Sequence, residues 1–239
     1  IANCLLTVGL AATIAPVVVP ESLIRREGSA LTFVTLLFVA WGTSFSLDVA
    51  SGLAMLALFG LYLALAPGEA PRRGPAEDAT WSAPFAPDRG SLPLAGAAAI
   101  GAAGLALLGY GGRAFVEGGI LLSHALGVSH SVVGLTVVAL ATTIPQLAAS
   151  TIAAQRRQAG LALGNAIGAC LFSLLGIGGV ISLIGPVAIP ASVARFDFPV
   201  LVAATLLVLV LASTGRRIAR PEGIALVACY AVYLYALFR

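Results

Sequence analysis

The chain has 239 residues, 59% of them hydrophobic and only 10% charged, with a formal net charge of +3. Soluble globular domains carry about 25% charged residues, so the composition excludes a soluble protein with a large core and points to a polytopic membrane protein. All thirteen basic residues are Arg, and they sit mainly in short loops as membrane topology demands, so the charge is not a nucleic-acid signal.

At about 20 residues per spanning helix, the chain holds about eight hydrophobic segments and one polar linker. In chain order the apolar runs predict helices over 1–15, 30–46, 52–66, 93–125, 131–154, 161–184, 198–213 and 223–238. Ten-residue blocks of period-two alternation are absent, which argues against a membrane β-barrel. The fourth helix is too long for one straight perpendicular span. It is either strongly tilted or broken at Gly111-Gly112. Arg113 lies four residues before Glu117, so one helix face can pair them. The Pro-rich, charged stretch 67–92 is the linker, and it separates a membrane portion 1–66 from a second one, 93–239. The opening Ile1-Ala2-Asn3 has neither Met nor a charged lead and does not read as a signal peptide. It reads as a helix entered partway along, so an upstream portion is expected.

The two portions repeat. A shift of 170 places Pro16 on Pro186, Pro20 on Pro190, Gly9 on Gly179 and Arg25 on Arg195. With one inserted residue, Gly52 meets Gly223. Thus 1–66 corresponds to about 171–238, and 93–170 has no counterpart before Ile1. A complete first copy needs about 80 upstream residues, and a unit of five helices, being odd, must invert between copies. The expected fold is an all-α polytopic membrane protein built as an inverted repeat of five-helix units, the first truncated. Arg25, Arg26, Arg156, Arg157, Arg216 and Arg217 fall on the linker side with four further Arg, against Arg195 and Arg239 opposite. That bias makes the linker side cytoplasmic, in a prokaryotic inner membrane.

Two adjacent apolar stretches are each interrupted by small and polar residues, Ala141-Thr142-Thr143-Ile144-Pro145-Gln146 and Gly164-Asn165-Ala166-Ile167-Gly168. Unsatisfied backbone groups are costly in hydrocarbon, so paired breaks of this kind point to an ion or substrate site near the bilayer midplane. Taken alone, the first interruption also fits a Pro-kinked helix whose Thr residues satisfy its own carbonyls. Cys4, Cys170 and Cys229 all lie in apolar segments without metal-ligand spacing and read as small buried hydrophobes. His124 and His130 flank a short loop without an acidic partner, a weak metal signal. The glycines of 164–179 follow no strand, so a dinucleotide fingerprint fails its context. Hydrolase signatures are absent, and the chain is not expected to be an enzyme.

The run GLTVVALATTIPQLAASTIAA followed by LALGNAIGACLFSLLGIGGV resembles the second α-repeat of the cation/calcium exchanger superfamily. That family reads G-T-S-x-P-E in one helix and G-N-x-x-G-S-N-x-x-N or -D in the next. Ile1-Ala2-Asn3 resembles the tail of the first α-repeat. The resemblance implies a secondary cation antiporter with alternating access around a mid-membrane, oxygen-lined ion site. It implies that Thr142 and Thr143 supply oxygens, that Gln146 takes the place of the acidic ligand, and that Ser173 and Asn3 occupy equivalent ligand positions. Asn165, in the break of its helix, is expected to hold freed backbone groups.

The chain departs from that pattern. Gln146 replaces Glu, Ala169-Cys170 replaces Ser-Asn, and Ser173 is short and neutral. Calcium takes six to eight hard oxygens and responds to ligand charge, whereas Gln offers one neutral carbonyl oxygen. Glu117, Asp48 and Asp197 are expected at helix ends or in loops, so no carboxylate reaches the site from this chain. The expected ligand is a transported cation, Ca2+ or Na+, with no cofactor, and the reduced charge favours a monovalent ion. The alternative is a transport-deficient member acting as a structural or regulatory membrane subunit.

Overall fold

The computed structural model describes residues 1–44, 47–65, 94–156 and 159–238; the linker 67–92 lies outside the described residues. Among the described residues eight helices follow one another: α1 (Asn3–Ile14), α2 (residues 21–44), α3 (Val49–Leu65), α4 (Leu94–Leu126), α5 (His130–Gln155), α6 (residues 159–184), α7 (Val193–Ser213) and α8 (Arg220–Leu237). By length and composition α5, α6, α7 and most of α4 are able to cross a membrane. Two compact units are present, one of Ile1–Leu63 with Gly134–Arg239, the other Ala64–Val133.

The breakpoints follow from local chemistry. Proline lacks an N–H and drives the preceding residue into extended backbone. Ala15 before Pro16 is extended, and so is Gly185 before Pro186, which ends α1 and α6 alike. At the start of α8 the Glu222 carboxylate accepts the Ala219 N–H at 2.7 Å, and Pro221 fills a first-turn position whose N–H needs no partner. Helix α2 starts at 21 rather than 30, and α7 at 193 rather than 198. Hydropathy missed these first turns because their charged residues, Arg25, Arg26 and Glu27 in α2 and Arg195 and Asp197 in α7, are helical without being apolar.

Within the larger unit, α1 packs against α5, α6 and α8, and α2 against α7. Leu5, Val8 and Ala12 of α1, Leu163 and Leu171 of α6, Val208 of α7 and Leu226 of α8 are buried together. Two glycine contacts set the closest approaches. A Cβ on Gly9 would stand 2.9 Å from the Gly223 carbonyl oxygen, and one on Gly52 would stand 2.8 Å from that of Gly179. The 170-residue correspondence turns one contact into the other. Short strands β1 (Val17–Val18) and β2 (Arg217–Ile218) pair antiparallel, with Val17 opposite Ile218. An isolated bridge joins Leu47 to Val187, the counterparts of Ile218 and Val17 once the one inserted residue is counted. These pairings were not expected from the sequence. They close the backbone groups of turns that lie between helices.

In the smaller unit α4 runs unbroken through Gly111-Gly112 for 33 residues. At about 1.5 Å per residue it is about 50 Å long, more than a bilayer core is thick. Arg113 and Glu117 pair on its exposed face at 2.8 Å, as the spacing predicts. His130 Nδ1 lies 2.6 Å from Ser123 Oγ, and its ring meets that of His124 edge-on.

Candidate functional site

Both interruptions are helical. Residues 141–146 lie inside the α-helical part of α5 with Pro145 in the helix, and 164–168 inside that of α6. The expected unwinding does not occur there. Thr142 Oγ1 donates to the Val138 carbonyl at 3.0 Å and Thr143 Oγ1 to that of Ala139 at 2.6 Å. With its amide oriented to satisfy its neighbours, Gln146 Nε2 donates to the carbonyls of Thr142 and Thr143 at 2.6 and 3.2 Å. These side chains add hydrogen bonds to carbonyls on either side of Ala141, whose own carbonyl Pro145 has no N–H to serve, within a helix that stays wound.

Irregularity sits one to two turns away instead. Wider π-helical turns occupy Gly134–Val138 before the first motif, Phe172–Ile177 after the second, and Asn3–Thr7 at the start of α1. Such turns recur at functional sites because they redirect side chains by one position. Two more, Ile24–Gly28 and Val193–Asp197, lie in the first turns of α2 and α7.

The two motifs meet side by side. Asn165 Nδ2 donates to Ser150 Oγ at 2.9 Å and reaches the Gln146 carbonyl at 3.4 Å. Asn165 thus reaches backbone of the neighbouring helix rather than freed groups of its own helix, which has no break. One turn or two further along α6, Asn3 and Ser173 line a common cavity of about 60 Å³. Its wall is arranged in pairs that the 170-residue shift exchanges, Asn3 with Ser173, Leu31 with Leu201 and Thr35 with Thr205. Among the expected site residues, Asn3 and Ser173 come together there, while Thr142, Thr143 and Gln146 line neither this cavity nor its larger neighbour.

That neighbour, about 450 Å³ and mainly apolar, shares Ile1, Ser173, Leu174 and Leu201 with the small cavity. Asp197 reaches it. Near the start of α7, as expected, Asp197 is nonetheless buried, only 6% exposed, and it accepts a hydrogen bond from Tyr233 of α8 at 2.7 Å. The first copy has the matching pair, Tyr62 donating to Glu27. Sequence reading missed both pairs. The signal was present, since the shift that aligns the prolines also aligns Glu27 with Asp197 and, after the one inserted residue, Tyr62 with Tyr233.

A helical membrane body with polar residues gathered in its interior defines the class, because intramembrane polar groups are kept where they face one another, a pathway or a ligand. The profile of the family described as "Sodium/calcium exchanger protein" matches residues 1–66 and 96–239. CaxA of Alkalimonas amylolytica, a candidate antiporter, is 35% identical over 241 residues, covering 100% of this chain and 75% of its own. The sodium/calcium exchanger MaX1 of Methanosarcina acetivorans is 35% identical over 128 residues, 54% of this chain and 37% of its own. A solved structure of the sodium-calcium exchanger NCX_Mj superposes with a TM-score of 0.66 at 26% identity, covering 98% of this chain and 72% of that one. The chain belongs to the sodium/calcium exchanger family, a family of membrane cation antiporters.

Proposed function

We propose that this chain exchanges cations across a cell membrane by alternating access around a site that Asn3, Thr142, Thr143, Gln146 and Ser173 contribute to. The observation that carries the reading is the pairing of Asn3 with Ser173 at one cavity, two residues from equivalent places in the repeated halves. An inverted five-helix repeat accounts for it, since such transporters bind cargo where the repeats face each other. The donor set is neutral, so a monovalent ion such as Na+ is favoured over Ca2+, which responds to ligand charge. The arginine bias supports an inner-membrane protein with the linker cytoplasmic.

The test is ion flux in proteoliposomes containing the full-length protein. Gradient-driven exchange of sodium, calcium or protons is the expected result. Tight reconstituted vesicles with no exchange of any of these would favour the reading as a transport-deficient membrane subunit. That reading draws on one observation, the engagement of the Thr142, Thr143 and Gln146 side chains with their own helix.

A further inference from the structure

Two thiols meet in the interior. Cys4 on α1 and Cys170 on α6 are 166 positions apart in the chain, yet their Sγ atoms lie 3.5 Å from each other. Both are free and buried, at 3% and 7% exposure. They line the small cavity together with Asn3 and Thr35. Asn3 Oδ1 and Thr35 Oγ1 are buried without a hydrogen-bond partner, and Thr35 is 1% exposed. A buried polar atom left unsatisfied costs about 1–3 kcal/mol, and the wall of this cavity has such unpartnered oxygens beside a pair of thiols in contact with each other.

We propose that the cavity binds one thiophilic divalent cation of the zinc, cadmium and mercury class through Cys4 Sγ and Cys170 Sγ, with oxygens of Asn3 and Thr35 completing the shell. Thiolate sulfur selects soft ions. No third Cys, His or carboxylate joins the pair among the described residues, so a hard ion that needs six to eight oxygens has no cage here. Charge decides the valence. One divalent ion and two thiolates form a neutral unit, so the deprotonated pair matches a divalent ion, while the protonated pair is neutral and leaves the cavity's oxygens to a monovalent one. Binding breaks two S–H bonds, forms two metal–sulfur bonds and releases two protons. No electron is transferred and no oxidant is needed.

Geometry separates this from a disulfide. Two sulfurs about 2.3 Å from one tetrahedral ion stand about 3.8 Å apart, so the thiols need to part by only a few tenths of an ångström. A disulfide requires them to close to about 2.0 Å. The larger cavity, which shares four lining residues with the small one, offers a way in. The inference does not depend on which cations are exchanged.

The test is a cadmium titration of the detergent-solubilised protein carrying Cys229→Ser, which removes the exposed third thiol. Ultraviolet cadmium–thiolate absorption and melting temperature are read together. One cadmium per chain is expected, with a rise in melting temperature, and at least a tenfold loss of affinity in Cys4→Ser and in Cys170→Ser. Equal affinity in the parent and both variants overturns the proposal. X-ray absorption at the cadmium edge of the parent protein gives a readout that needs no further variant. Two sulfur neighbours are expected, and a shell of oxygen alone overturns it.

Discussion

Tyr233 and Asp197 are joined by a buried 2.7 Å hydrogen bond between α8 and α7. The partners stand 171 and 170 positions after Tyr62 and Glu27, which form the same kind of bond between α3 and α2. A tyrosine hydroxyl thus covers a carboxylate at equivalent places in both halves. This matters in an interior where an uncovered acceptor is costly. Tyr233→Phe removes the donor and keeps the ring, so it should cost about 1–3 kcal/mol. Thermal unfolding in detergent should show a clear drop in melting temperature. An unchanged melting temperature would mean that Asp197 finds another donor.

The glycine contacts make a second prediction. Cβ atoms at Gly9 and Gly223 would meet backbone oxygen at 2.9 and 2.7 Å, and backbone cannot turn aside as a flexible side chain can. Gly9→Ala and Gly223→Ala should each destabilise by about 1–3 kcal/mol through overpacking. Gly60 on α3 has nothing within 4 Å of its Cβ position. Gly60→Ala should leave stability equal or improved, since Ala favours helix over Gly by about 1 kcal/mol. Melting temperatures of the three variants, measured side by side, check the contrast.

Gln146→Glu tests the proposed ion site. The amide of Gln146 donates to two carbonyls of its own helix, which a carboxylate cannot do. The new carboxylate should turn away from those carbonyls and offer negative charge, strengthening calcium binding and making it depend on pH, weaker as acid protonates the side chain. Calcium binding curves at several pH values provide the measurement. Curves that overlay the wild type at every pH would place residue 146 outside the site.

Asp48 predicts a pH dependence of stability. It precedes α3 and accepts the Ser51 backbone N–H at 3.0 Å, and Ser51 Oγ accepts the Asp48 N–H in return. The Ser51 backbone hydrogen bond, with help from its side chain, holds the carboxyl below the ordinary aspartate value. A lowered folded-state pKa means stabilisation that is complete above the unfolded value and lost as pH falls through the folded one. Asp48→Asn keeps an acceptor oxygen but removes the charge. It should melt below the wild type at pH 7, with the gap closing toward about pH 3. A gap independent of pH would assign the effect to shape rather than charge.

Cys229 shows where the sequence reading failed. It was read with Cys4 and Cys170 as a buried hydrophobe, but it is exposed on α8. In a chain that faces lipid, an apolar neighbourhood in sequence says a residue is in a membrane helix, not which way it points. Low amphipathic contrast hides the buried face, since Val232 and Tyr235 on α8 are exposed while Tyr233 beside them is buried. The candidate site was legible to the same extent. Motif and repeat picked out Asn3 and Ser173, which share a cavity, but they gave no sign that Thr142 and Thr143 would spend their hydroxyls on their own helix.

The sequence by itself determined the membrane class, the order of the described helices, the stops at Pro16 and Pro186, and the 170-residue repeat. All of these are properties of hydropathy and backbone chemistry that act within a few residues or compare one stretch with another. Tertiary structure decided where the helices stay wound, which carboxylates are covered and that Cys4 meets Cys170. Those outcomes depend on which polar atom reaches which partner across helices far apart in the chain, and in a nearly uniform apolar sequence only packing settles that choice.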